Sequence, residues 1–175
     1  MNKNSITSGV ILGIAGIISF MIGVLADLGI VGGIGLFILI IAIAVIIPII
    51  YVRKERTENG GSLTFAQGFK VSFLGLVLGG LIGLVFQILY VQVIDPAYAE
   101  EAVVKAVEMT AKFTESLSEE DQLEQLRVAE ERARGQVSLP GQLMSFGFGL
   151  ILYLVISLIV AASLKRNDPK FTTDG

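Results

Sequence analysis

Thr64-Phe65-Ala66-Gln67-Gly68-Phe69-Lys70, the uncharged run from Val71 to Ile94 behind it, and the closing Asp95-Pro96-Ala97-Tyr98 decide how this chain is read. An apolar run of about 18 residues or more is long enough for a helix to cross the hydrocarbon of a bilayer. Gly75, Gly79 and Gly83 recur every four residues inside the run, so they share one stripe of that helix. A stripe of glycines lets a neighbouring helix come close. The stretch therefore reads as a membrane span with a packing face.

Three more uncharged runs flank it, over residues 5–26, 30–52 and 141–164. With 71–94 they predict an all-α, polytopic membrane protein of four transmembrane helices, forming a single integral membrane domain over residues 1–175. Of the 175 residues, 53% are hydrophobic and 17% charged, where a water-soluble domain carries about 25% charged residues. Asp27-Leu28-Gly29 reads as a tight turn that makes a hairpin of the first two spans. A cleaved signal peptide is the rival reading of the first run, but a signal core is only about 7–15 residues long.

The second span opens on Gly29, Gly32, Gly33 and Gly35, which lack the dinucleotide-binding spacing and follow no strand, so they too read as packing glycines. Pro48 predicts a kink, and Tyr51 with Arg53-Lys54-Glu55-Arg56 marks the exit from the bilayer. Asn59-Gly60-Gly61 is a turn signal, and Thr64 with Gln67 has the spacing of a capping box. Gln87, deep in the third span, is expected to find a polar contact across a helix interface. On the fourth span Gly141, Ser145 and Gly149 repeat every four residues and predict a second packing stripe. The tail to Gly175 is short, polar and expected to be disordered.

Between the third and fourth runs lies a charged insert, 95–134, with eleven acids against five bases, a net charge of −6. Asp95-Pro96 reads as the N-cap and first residue of a helix, and Ser118 as the N-cap of another. Two helices joined near 116–118 are predicted, with apolar stripes Ala99, Val103, Ala106, Met109, Phe113 and Leu123, Leu126, Ala129, Ala133. Glu101–Lys105, Glu108–Lys112 and Glu130–Arg134 stand in the favourable i,i+4 order, and Glu124–Arg127 at i,i+3. Adjacent carboxylates on a helix do not converge on one ion, so Glu119-Glu120-Asp121 reads as a solvated first turn. Eight Lys and Arg fall in the N-terminal segment, the 53–70 loop and the tail, and five in the insert. The positive-inside rule then puts both termini in the cytoplasm of an inner (cytoplasmic) membrane and the insert outside.

There is no Cys and no His. Thiol chemistry, disulfides and His-based acid–base or metal chemistry are thereby excluded. With Asp27 and Asp95 at span edges, no acid and base come into reach within the spans, so no catalytic, cofactor-binding or metal residue is predicted and no cofactor is expected. The expected function is a non-enzymatic membrane scaffold or assembly partner, embedded in the lipid bilayer and packing with another copy or another membrane protein, with no nucleic acid involved. The alternative is a small transporter or channel subunit for a neutral solute, lined by Gln87 and serines.

Gly61-Ser62-Leu63-Thr64-Phe65-Ala66-Gln67-Gly68-Phe69-Lys70 and Ile94-Asp95-Pro96-Ala97-Tyr98 resemble a family of bacterial membrane proteins known as domain of unknown function 4199, DUF4199. The spacing of the spans and the charged insert before the last one are similar as well. The resemblance implies four spans and carries no activity, substrate or site residue.

Overall fold

A computed structural model describes residues 2–26 and 28–165. The turn read at Asp27 and the tail from Arg166 onward lie outside the described residues. The elements are α1 (Lys3–Leu25), α2 (Gly29–Glu58), α3 (Phe65–Leu89) running on into a π-helical turn (Tyr90–Ile94), α4 (Ala97–Thr114), α5 (Glu119–Val137) and α6 (Leu139–Leu164). The protein is all-α, and four of its helical segments, Lys3–Leu25, Val31–Glu58, Phe65–Ile94 and Leu139–Leu164, are long and apolar enough to cross a membrane. Their large side chains face outward: Val31 is 85% exposed, Phe37 63% and Ile159 61%. Keeping such surface in water costs about 25 cal/mol per Å², and lipid removes that cost.

Local chemistry sets the helix ends. Thr64 N–H donates to Gln67 Oε1 at 2.9 Å and Gln67 N–H donates to Thr64 Oγ1 at 3.2 Å, the reciprocal capping box read from the sequence. The preceding turn holds Gly60 and Gly61 at φ +68° and +93°, a region that favours glycine. Asn2 caps α1, its Oδ1 accepting from Ser5 N–H at 2.8 Å. Helix α2 continues through Pro48 and past the predicted span end at Val52 to Glu58. Arg, Lys and Glu are good helix formers, so the charges end the apolar run but not the helix. Ser118 Oγ accepts from Asp121 N–H at 3.3 Å, as predicted for an N-cap. Asp95 Oδ1 accepts from Tyr98 N–H at 3.3 Å, although α4 itself starts at Ala97.

The described residues divide into two compact units, those up to Gly83 with those from Gly149 onward, and residues 84–148. In the first, Val52, Leu63, Val71, Leu76, Ile156 and Val160 form one apolar core, with Leu12 of α1 packed against it. In the second, α4 and α5 lie against each other. Val103 and Ala133 are buried there, as their stripes predicted. Met109 and Phe113 are instead exposed, and the buried residue at the end of α4 is Thr114. Its hydroxyl donates back to the Thr110 carbonyl at 2.9 Å. Leu123 is likewise exposed. Of the predicted ion pairs Glu130–Arg134 forms at 3.0 Å, whereas Arg127 pairs with Glu131 at 3.3 Å. Glu101–Lys105 and Glu108–Lys112 are not among the ion pairs of the described residues.

Candidate functional site

The first unit holds a seam between α1 and α3. A Cβ built on Gly79 would stand 2.6 Å from Leu12 Cβ and 3.1 Å from the Gly9 carbonyl oxygen. One on Gly75 would stand 2.8 Å from Ser8 Oγ and 3.2 Å from Ser8 Cβ. The fit is reciprocal. Leu78 fills the space over Gly9 and Ile82 that over Gly13, each 2.7 Å from where a Cβ would be. Bare backbone on each helix thus receives a side chain of the other. Gly83, the third member of the predicted stripe, has nothing within 4 Å of its Cβ position.

The other predicted residues are placed differently. A Cβ on Gly141 would run into the backbone of Gly135 at the end of α5. Ser145 is exposed. Gly149 faces the Tyr153 ring of its own helix at 3.8 Å. Gln87 is half-buried, and no hydrogen bond from its amide is found among the described residues. Among the described residues, Gly75 and Gly79 thus meet a partner helix, whereas the Cβ position of Gly83 is open and that of Gly149 meets only its own helix.

Sequence reading missed Gly9 and Gly13, although their spacing of four was visible. It also missed the polar groups inside the first unit. Ser72 on α3 donates to Ser157 on α6 at 3.1 Å, both fully buried. Asn4, 2% exposed, donates from one Nδ2 to Glu55 Oε2 at 2.6 Å and to Glu58 Oε2 at 2.7 Å. The Oδ1 of Asn4 and the Oγ of Ser8 are buried without a hydrogen-bond partner among the described residues. Nearby, Leu63 and Val52 are fully buried against Gly68, where a Cβ would stand 3.4 Å from the Cα of Ala161. This gives two of the motif residues, Leu63 and Gly68, a packing role.

In the second unit a cavity of about 290 Å³ is lined by Val91, Gln92, Val103, Glu100, Arg134 and Ser138, among others. Arg134 reaches Glu100 at 2.8 Å and Glu130 at 3.0 Å. The bond to Glu100, then that to Glu130, pushes its guanidinium above the ordinary range, so its charge is fixed. Burial pushes the Tyr98 phenol up as well. Beside the cavity lies the π-helical turn, where Asp95 N–H bonds the Tyr90 carbonyl at 2.8 Å. The Tyr90 hydroxyl donates to Asp95 Oδ2 at 3.3 Å. The cavity combines an apolar wall with one neutralised cation. It can seat a small amphipathic group but offers no nucleophile paired with a base. No group of three or more His, Cys, Asp or Glu able to hold a metal ion gathers among the described residues.

Neither a curated protein nor a solved structure matches the chain. A family model described as "Protein of unknown function (DUF4199)" matches residues 7–166, and the chain belongs to that family.

Proposed function

We propose that the protein is a non-enzymatic, multi-pass scaffold of the inner (cytoplasmic) membrane that offers the α4–α5 pair to a partner protein. One observation carries this reading. Around the turn from α4 to α5, Met109 is 44% exposed, Phe113 65%, Leu117 46% and Leu123 68%. Four large apolar side chains close together in the chain, outside any span, form a contact tip. The segment around them has a net charge of −6, so the partner it fits has an apolar groove with a basic rim. The distribution of Lys and Arg supports cytoplasmic termini with the pair on the outer side.

The test is a photo-crosslinking residue at Phe113 in native membranes. A single defined adduct, lost on Leu123→Ser, is the expected outcome. No adduct, with normal protein levels, would contradict the scaffold.

The second reading is a carrier or channel subunit for a neutral solute. It draws on the buried Ser72–Ser157 pair and the unpartnered Ser8 hydroxyl within the first unit. Solute flux in proteoliposomes, abolished by Ser72→Ala and Gln87→Leu, would favour it over the scaffold.

A further inference from the structure

The cavity of the second unit lies where two spans end. Val91 and Gln92 on its wall belong to the last turn of the span Phe65–Ile94, and Ser138 directly precedes the span Leu139–Leu164. The next residues along the chain, Val93, Ile94 and Leu139, are exposed at 69%, 61% and 46%. Apolar side chains of that kind at a span end meet lipid, so the cavity sits at the depth of the lipid headgroups.

Packing leaves this space open. About 290 Å³ remains beside the buried Val91 and Val103, close to the roughly 300 Å³ of the smaller ligand pockets. Val91 and Gln92 also stand in the π-helical turn, a rare geometry that is frequent at functional sites. The charged groups on the wall keep bonding capacity in reserve. Arg134 donates from Nη1 to Glu100 Oε1 at 2.8 Å and from Nε to Glu130 Oε1 at 3.0 Å. Among the described residues, Arg134 Nη2, Glu100 Oε2 and the Gln92 amide make no hydrogen bond. The wall therefore offers N–H donors beside a carboxylate oxygen. One positive charge stands with two negative ones here, so a ligand that is anionic alone is disfavoured. A ligand that joins an anion to a cationic donor uses both sides.

We propose that this cavity binds the head of a phospholipid in which a phosphodiester is linked to a primary ammonium, that is, phosphatidylethanolamine. Its phosphate accepts from Arg134 Nη2 and the Gln92 amide, and its ammonium donates to Glu100 Oε2. Its glycerol end rests on Val91 and Val103. A trimethylammonium head has no N–H to give Glu100, so phosphatidylcholine fits less well.

The test is native mass spectrometry of the full chain in detergent, counting retained lipid, with phosphatidylethanolamine and phosphatidylcholine of identical tails as probes. Circular dichroism checks that each variant is folded. One phosphatidylethanolamine per chain should be held about tenfold more tightly than phosphatidylcholine, as expected for one added hydrogen bond to a charged group. Glu100→Gln should erase most of that preference, and Arg134→Gln should weaken both lipids. Ala99 also lines the cavity; Ala99→Leu keeps the charges, fills the space and should remove the preferred lipid. Equal retention of the two lipids by the native chain would overturn the proposal. So would an unchanged preference in folded Glu100→Gln or Ala99→Leu. Glycerophosphoethanolamine, the same head without tails, should bind far more weakly; equal affinity would make the ligand a soluble molecule and overturn the lipid assignment.

Discussion

Two stripes of small residues look alike in sequence and are used differently. Gly75 and Gly79 on α3 lie against α1, with Leu12 and Ser8 where their side chains would be. Gly141, Ser145 and Gly149 keep the same spacing, yet one abuts the last turn of α5, one is exposed and one faces its own helix. The difference lies in the partner. Helix α1 carries Gly9 and Gly13 opposite Leu78 and Ile82, so each side provides both holes and knobs. A stripe alone permits close approach, and reciprocal bare backbone makes it happen.

The strongest test of that contrast stays within one stripe. Gly79→Leu meets Leu12 and the backbone of Gly9, where neither can retreat. Overpacking typically costs about 1–3 kcal/mol, and backbone obstacles push it higher, so this variant should fail to assemble. Gly83→Leu points into open space and should leave the melting temperature in detergent unchanged or raise it, as glycine is a poor helix former. Equal tolerance of the two would break the comparison.

A smaller effect is expected at the Ser72–Ser157 bond, which ties α3 to α6 by chemistry instead of shape. A double-mutant cycle with Ser72→Ala and Ser157→Ala should return a coupling of about 0.6–1 kcal/mol. Zero coupling would mean that packing alone joins these helices.

Much of the fold was legible in the chain. Four uncharged runs marked four helices, and Thr64, Gln67 and Ser118 marked where helices begin, because capping depends on residues three apart. What was not legible depends on how each helix is rotated. Spans that are apolar all round carry no periodic stripe to show which side faces a neighbour. Hence the bonds of Asn4 to Glu55 and Glu58, 51 and 54 residues away, could not be read. Nor could the Ser72–Ser157 bond across 85 residues. The π-helical turn at Tyr90–Ile94 has no known sequence signal here, and it forms where Tyr90 and Asp95 bond to each other. In α4, periodicity put Met109 and Phe113 inside, but the buried residue there is Thr114, which bonds its own backbone.

The second unit should respond more weakly than the seam. Arg134 is 51% exposed at its side chain, and its partners Glu100 and Glu130 are 67% and 48% exposed. Arg134→Gln should therefore lower the melting temperature only slightly, and salt should shrink the difference. A large, salt-independent loss would place this ion network alongside the glycine seam in importance. The smallest effect is one of pH. Burial holds the Tyr98 phenol above its ordinary value. The unfolded chain therefore loses that proton first, near pH 10, at about the ordinary tyrosine value. The contribution of Tyr98 to stability should be flat below that pH and fall slightly above it, and Tyr98→Phe should lessen the slope.

The packing of α1 on α3 can be tested most directly by a disulfide, because the chain has no cysteine of its own. A Cβ on Gly75 would stand 3.2 Å from Ser8 Cβ, close to the roughly 3.8 Å typical of a disulfide. The account predicts that Ser8→Cys with Gly75→Cys forms an internal bridge on mild oxidation in native membranes, read by intact mass and gel mobility. Ser8→Cys with Gly83→Cys should not. Equal bridging in both pairs, or none in the first, would contradict it.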